Sequence, residues 1–470
     1  MTDLVIHWFR RDLRLSDNPA LCAAARRGRV LPVYVYEDGA AGCHAPGAAS
    51  RWWLHHSLVA LNQSLGGTLC LLRGDPAQCL SELIRKTAAI AVTWTRRYEP
   101  DAIAHDSAIK RYLARLGVEV ISKNGTLLWE PWDVLKSDQT PYRVFTPFYK
   151  RASFSAPQPR QPLPAPEAEF VGKSDLTIDA LALLPAVNWY QGLAEAWKPG
   201  EEGATERLSR FLDAGLRQYR HGRDRPAQLV TSRLSPHLHF GEISPNTAWY
   251  ASQVRGAELA EEDNSERFRS ELGWREFAHS LLFHYPNMPD TNLRDRFDAF
   301  PWTVSGEELR RWQAGRTGIP LVDAGMRELW HTGYMHNRVR MIVASFLVKN
   351  LGVHWREGAR WFWDTLVDAD LANNSAGWQW VAGCGMDAAP YFRVFNPVTQ
   401  GQKFDPDGAY VRKWVPELAN CPLQYVFCPW TAPSKVLAEA DVVLGATYPA
   451  PIVDLKASRQ AALAAFKALP

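Results

Sequence analysis

At 470 residues, 46% hydrophobic and 22% charged, the chain has the makeup of a globular protein too long for one typical core, so two domains are expected. A formal net charge of +3 is too mild to identify a partner, and seven cysteines without a CxxC pair or a signal peptide argue against a disulfide framework or a metal site and for a reducing cytoplasm. The start, MTDLVIHWFRRDLRL, has no long apolar core or cleavage site, and no later run approaches ~18 apolar residues, so no membrane span is expected. In chain order, apolar runs at 4–9 (LVIHWF), 30–36 (VLPVYVY), 68–72 (TLCLL), 89–94 (AIAVTW) and 118–121 (VEVI) alternate with helical patterns such as 51–65 and 101–116. That is the rhythm of a parallel sheet wrapped by helices, so residues 1–130 are read as an α/β, Rossmann-like domain, although no GxGxxG follows its first strand. Residues 131–199 are read as an interdomain linker, because 156–166 (APQPRQPLPAP) place five prolines in eleven positions, an extended polyproline-like composition. From residue 200 to 470 the pattern is helical, with segments near 205–220, 264–284, 306–313, 321–331, 335–350, 355–367 and 455–468, so the second domain is all-α.

The stretch from Met335 to Trp380 carries the strongest functional signal. It strings Asn337, Arg340, Asp368, Asp370, Asn374, Trp378 and Trp380 along segments apolar enough to be buried. Buried amides, carboxylates and arginines are costly unless they satisfy one another or a ligand, so a polar cofactor or substrate is expected there. On a helix Asn337, Arg340 and Met341 share a face, with Asp368 and Asp370 available as counter-charge and acceptor, although an Arg340 and Asp368 pair could equally buttress two helices. In TSRLS (231–235), hydroxyls and backbone N–H groups beside a helix start suit an anionic phosphate, where the bland alternative is a plain N-cap. Residues 205–240 hold seven arginines against Glu206, Asp213 and Asp224, which suits either phosphates or a solvated helix face. Tryptophan, with 20 copies against 19 Phe and 15 Tyr, is the compositional outlier, and nine of them lie between Trp274 and Trp380.

HWFRRDLRLSDNPAL at the start, TSRLSPHLHFGEIS at 231–244, ELGWREF at 271–277, GRTGIPLVDAGMRELW at 315–330, MHNRVRM at 335–341, and WQW with FNPVTQGQKFD towards the end resemble the photolyase and cryptochrome flavoproteins, in order and across the whole chain. The resemblance implies an α/β antenna domain, a helical domain holding FAD, and light-driven electron transfer to a DNA lesion. It implies FAD contacts at Tyr219, Thr231, Ser232, Arg233, Leu234, Ser235, Arg340, Asp368 and Asp370, with Asn374 facing flavin N5, where plant cryptochromes carry Asp. It places Glu271, Trp274, Asn337, Arg338, Met341, Trp380 and Gln400 at the pocket for a cyclobutane pyrimidine dimer and Arg223 on the DNA face. The resemblance also implies that Glu271, Asn337, Met341 and Asn374 are the catalytic residues. Enzymes for the (6-4) photoproduct have histidines in place of Asn337 and Met341. Trp302, Trp355 and Trp378 correspond to the family's electron relay, where packing is the ordinary use of tryptophan.

For the antenna, Phe9, Arg10, Tyr36, Asp38, Arg51 and Glu99 are the implied lining. The glutamate and cysteine of one folate-binding subgroup are missing near Ala102 and at 285–295. RWWLHHSL, LWHTGYMHNRVRM and WFWDTLVDADL are closer to the photolyase subgroup related to plant cryptochromes. The expected antenna is therefore methenyltetrahydrofolate, with 8-hydroxy-5-deazaflavin as the alternative. The reading is of a monomer that repairs UV-damaged DNA in the cytoplasm, and the alternative is a blue-light photoreceptor signalling through a protein partner. A chain ending at Pro470, without a long signalling tail, favours repair.

Overall fold

The computed structural model describes residues 3–37, 45–303, 306–388 and 392–470. Five strands, β1 (Leu4–Phe9), β2 (Arg29–Tyr36), β3 (Cys70–Arg73), β4 (Ala91–Thr95) and β5 (Glu119–Lys123), pair in parallel in the order β3-β2-β1-β4-β5. The parallel sheet expected from the apolar runs is therefore present. Central β1 is a continuous apolar run because both of its faces are covered, and Val5, Ile6, Val33 and Val92 are fully buried. Trp8 meets Trp94 edge-to-face at 5.6 Å across the β1 and β4 pair.

The crossovers are helices α1 (Pro19–Ala25), α2 (Ala48–Ser64), α3 (Pro76–Thr87) and α4 (Pro100–Arg115). Proline opens three of them at a first-turn position, where its missing N–H costs nothing, and Asn18 and Asp75 cap two of these by accepting the Leu21 and Gln78 amides. The strand order reverses between β1 and β4, and the chain leaves those two C-terminal ends as Arg10-Arg11 and Arg96-Arg97. Ligands in open α/β sheets gather at such ends.

The chain divides into two compact units, one of Met1–Tyr219, Ser232–Pro286 and Val367–Ala372, the other of Arg220–Thr231, Asn287–Leu366 and Asn373–Pro470. Besides the sheet, the first unit holds α5 (Ser235–Phe240), α6 (Pro245–Leu259) and α7 (Glu262–His284). Gly241 ends α5 at φ +69°, and a Cβ there would stand 2.0 Å from the Arg11 carbonyl oxygen. Only glycine combines that backbone conformation with so close an approach, and it brings the end of β1 against α5. Buried Arg14 reinforces the junction by donating to the carbonyls of Asp17, Gly125 and Gly241. Glu276 of α7 accepts the Leu128 and Trp129 amides, tying down the segment that leaves the sheet.

The second unit is helical, with α8 (Pro320–Thr332), α9 (Asn337–Ser345), α10 (Trp355–Thr365), α11 (Leu371–Ala382, its first two residues assigned to the first unit) and α12 (Leu455–Lys467). The helix expected at 335–350 is α9 followed by a π-helical turn over Phe346–Asn350. Gly325 lets α8 and α9 close together, since a Cβ there would lie 2.4 Å from Val339 Cγ1. Among the described residues no helix is long and apolar enough to cross a membrane.

Candidate functional site

In the first unit the polar centre is Asp370, 8% exposed. Its Oδ2 lies 3.6 Å from His239 Nδ1, 3.6 Å from His279 Nε2 and 3.7 Å from Arg11 Nη1. Arg11 also pairs with Glu99 at 3.0 Å, and Glu99 with Arg97 at 3.2 Å. Burial penalises the Asp370 charge, yet the two imidazoles and the guanidinium outweigh it and hold the carboxyl well below the usual carboxylate range. Burial, assisted by neighbouring arginine charge, lowers both histidines. The cluster is thus an ionised acceptor packed against two imidazoles and a guanidinium. Sequence reasoning found Asp370 and Glu99 but missed Arg11, His239 and His279. RR at the end of β1 and HLHFG before a glycine cap were the available signals.

The TSRLS segment is arranged differently from a plain cap. The helix after it, α5, is six residues long and has Leu234 at its N-cap without a side-chain cap bond, so the helix-dipole argument loses its force. Ser235 lies inside the helix and its hydroxyl donates to Asp368 Oδ2 at 2.6 Å. The turn before it is made by Arg233 at φ +50°, and Ser232 Oγ accepts the Leu234 amide at 3.4 Å. Tyr219, 6% exposed, is wedged edge-on against Phe211 and Phe268 at 5.4 and 5.7 Å.

On α7, Glu271 and Trp274 are one turn apart and share a face. Trp274 stacks on Phe145 with centroids 3.9 Å apart and planes 11° apart, while Glu271 lies 3.4 Å from Arg267. Of the implied antenna lining, Arg10 is consumed by the fold. It forks onto Asp106 at 2.6 and 2.9 Å, donates to the Thr95 carbonyl and lies 4.5 Å over the Trp8 ring. Phe9 is fully buried, Arg51 donates to the Pro46 carbonyl, Tyr36 ends β2 half-buried, and Asp38 lies outside the described residues.

In the second unit α9 carries Asn337, Arg338, Arg340 and Met341 in the helical register expected of them. His336, missed in the sequence, starts this helix, its Nδ1 accepting the Arg338 amide at 3.2 Å. Burial pushes its pKa down to about 4, with Asp224 opposing and Arg223, Arg338 and Arg340 adding to the effect. It is therefore neutral with its proton on Nε2, which is buried without a partner among the described residues. Arg340 donates from Nε to the Met335 carbonyl at 2.7 Å and lies over the Tyr334 ring. Arg338 pairs with Asp224 at 3.0 Å and covers the Phe404 ring. Asn374 donates its amide to the Ala359 carbonyl at 3.0 Å, which fixes the side chain while its Oδ1 has no partner among the described residues.

The WQW motif is divided in its duties. Trp378 is 3% exposed, packed edge-on against Phe362 at 4.9 Å and Trp312 at 6.2 Å and laid on the bare backbone of Gly358. Gln379 is fully buried, donates to the Met288 and Thr291 carbonyls and accepts the Leu293 amide, so it anchors α11 between the two indoles. Trp380 borders a small open cleft with Arg294, Arg296, Lys349 and Arg393. Burial and the Arg393 charge push Lys349 down to about 7. Gln400, on the helix Pro397–Phe404, is half-buried. Trp355 donates to Asn292 at 2.9 Å, and Trp302 meets His354 at 4.6 Å.

Comparison with known proteins gives two family matches, DNA photolyase over residues 5–167 and the FAD binding domain of DNA photolyase over residues 268–468. The chain is 49% identical to a deoxyribodipyrimidine photo-lyase of Agrobacterium fabrum, covering 99% of this chain and 98% of that one. It is 39% identical to cryptochrome-1 of Arabidopsis thaliana over 96% of this chain and 68% of the plant protein. The crystal structure of a bacterial class III photolyase from Agrobacterium tumefaciens superposes with a TM-score of 0.95 at 48% identity, covering all of this chain and 98% of that one.

Proposed function

The chain belongs to the DNA photolyase and cryptochrome family, and from that premise we propose that it takes a cyclobutane pyrimidine dimer out of UV-damaged duplex DNA and splits it with blue light. It is an enzyme of the photolyase kind with an FAD-binding domain. The residues fit that cofactor. A flavin ring would offer N–H donors to the ionised, buried Asp370, and Asn374, pinned through its amide nitrogen, keeps its amide oxygen free to accept one. Tyr219, Thr231, Ser232, Arg233, Leu234, Ser235, Asp368 and Asp370 of the sequence reading, with Arg340 and Asn374, would hold FAD. When bound and reduced, FAD would supply the electron that opens the dimer and receive it back.

The chain's own residues do the rest. Trp274, backed on one face by Phe145, would stack its other face on a displaced base, and Glu271, Asn337 and Met341 are the further lesion contacts that the family likeness implies. Trp380 joins them, and Arg223, Arg338 and Gln400 meet the DNA around the lesion, where phosphate contacts position and stacking selects. Trp302, Trp355 and Trp378 re-reduce the cofactor. Asn374 carries the choice of repair over signalling, because a neutral amide tolerates negative charge on the reduced ring and the aspartate of plant cryptochromes repels it. For the antenna, Tyr36, Arg51 and Glu99 line a methenyltetrahydrofolate site in the best-supported reading. The absorption spectrum of the chromophore released from native protein discriminates it from 8-hydroxy-5-deazaflavin.

The test is repair of an oligonucleotide bearing one defined thymine dimer. Reduced protein restores it under blue light and leaves it unchanged in darkness, and equal activity in both would overturn the proposal.

A further inference from the structure

We propose that His354 is a positioning residue of the tryptophan relay, its imidazole touching both Trp302 and Trp355 and its neutrality permitting positive charge to move outward between them. The inference rests on the relay reading above. The His354 ring lies 4.6 Å from Trp302 with 50° between planes and 5.6 Å from Trp355 with 36° between planes, so it bridges the two indoles. It is also the N-cap of α10, its Nδ1 accepting the Arg356 amide at 3.1 Å, and Trp355 is the first residue of that helix. A histidine whose Nδ1 accepts carries its proton on Nε2 and is neutral. Protonation would take the lone pair that caps the helix, loosening the turn that holds Trp355 while placing a cation against both rings.

The surroundings keep it neutral. Burial lowers its pKa to about 4, Arg356 and Arg360 of α10 adding to the effect and Asp298 opposing it. Glu357 sits on the same turn but is paired with Arg360 at 2.6 Å. Trp302 gives charge at this point its importance, because its Nε1 is buried with no partner among the described residues. An oxidised Trp302 carries its positive charge beside the His354 ring until it is reduced or gives up its indole proton.

Electrons balance at every hop. Once Trp378 has given one electron to photoexcited flavin and Trp355 has refilled Trp378, one electron passes from Trp302 to the Trp355 radical cation. Trp355 is restored and Trp302 becomes the radical cation. A thiol in solution then gives one electron to Trp302 and releases its proton, and two resulting thiyl radicals join as a disulfide. An imidazolium at position 354 would raise the cost of a hole on both outer rings, most on the nearer Trp302, and would drive the hole back towards Trp378.

Two matched pairs separate charge from capping. His354→Asp and His354→Asn both cap a helix and differ by one negative charge, and His354→Lys and His354→Gln both lack the cap and differ by one positive charge. In FAD-loaded protein with excess thiol at neutral pH, Asp photoreduces about tenfold faster than Asn and Lys about tenfold slower than Gln, the factor given by ~1.4 kcal/mol. Melting temperature in the dark reports cap loss separately, splitting the pairs from each other but not within themselves. NMR titration of the His354 imidazole is a readout independent of turnover, and wild-type photoreduction falls with the imidazolium fraction where His354→Asn does not. Equal rates within either matched pair overturn the proposal. Trp302→Phe serves as the control. If it photoreduces at the wild-type rate the relay reading itself falls, whereas a slow Trp302→Phe beside equal pairs removes only the role of His354.

Discussion

Replacing Gly358 by alanine tests whether Trp378 is held where electron transfer needs it. A Cβ on Gly358 would stand 2.0 Å from Trp378 Cη2, 2.5 Å from Cζ3 and 2.6 Å from Cζ2. To reach ordinary contact at 3.4 Å the indole must retreat by about 1.4 Å, and it is 3% exposed with Phe362 and Trp312 against it. Alanine gains about 1 kcal/mol over glycine in a helix interior, and overpacking of a filled site costs about 1–3 kcal/mol. The expected net effect is a loss of up to ~2 kcal/mol in denaturant unfolding, with slower photoreduction, because Trp355 lies one turn from Gly358 on α10 and the distance between the two indoles changes. In a Trp378→Phe background the smaller ring relieves the clash, so the double mutant is less destabilised than the two single changes added together. Wild-type stability and photoreduction in Gly358→Ala, or a penalty that persists unchanged beside Trp378→Phe, would refute the reasoning.

Burial raises Glu276 to about 7, against the opposing Arg275 and the Leu128 and Trp129 amides, so the native state holds this proton more tightly than the unfolded chain. Stability from it is full below the ordinary value of 4.5 and declines as pH rises to about 7, so Glu276→Gln gains on wild type across that interval by up to roughly 3 kcal/mol. A difference independent of pH in paired unfolding curves would show that Glu276 does not titrate there. Asp224→Asn releases Arg338 from its 3.0 Å ion pair, and the log affinity versus log salt slope for duplex DNA should steepen by about 0.9 for a gained phosphate contact. An unchanged slope would remove Arg338 from the DNA face. Trp274→Ala should weaken binding to dimer-containing DNA by roughly 1–3 kcal/mol while leaving undamaged duplex binding little altered, and equal losses in a filter or anisotropy assay would place Trp274 in the core alone.

The sheet was legible because parallel strands buried on both faces are continuous apolar runs, and LVIHWF, AIAVTW and their partners lie on or beside β1 to β5. Helices α2 and α4 lie within a few residues of the helical patterns at 51–65 and 101–116, and glycine or proline stands at their starts. What the sequence could not display is the return of distant segments. Glu276 holds residues 128 and 129 through backbone amides, which any sequence supplies, and Val367–Ala372 joins the unit that contains the sheet. A periodicity reading sees each stretch only against its neighbours in sequence, so it divides the chain at the proline-rich segment and assigns all later residues to a helical domain.

The candidate site was legible where residue type is itself unusual and hidden where an ordinary residue acts through its position. Asp370 stands out as a carboxylate in an apolar run, but the arginine and histidines around it come from the end of β1, from α5 and from α7. Histidine at a helix start is a clearer case. His336 and His354 each accept, through Nδ1, the amide of an arginine two residues on, and burial depresses each to about 4. Serine or aspartate would cap as well, so capping alone does not require histidine. A buried neutral imidazole adds what those residues lack: a flat ring for packing on an indole and a fixed Nε2–H. The first residues of the two helices are Asn337 and Trp355, one proposed for the lesion pocket and one for the relay. The His-x-Arg pattern in MHNRVRM and VHWREG is thus the local signal for both, and its physical content is a helix start that keeps its neighbour oriented without placing a charge beside it.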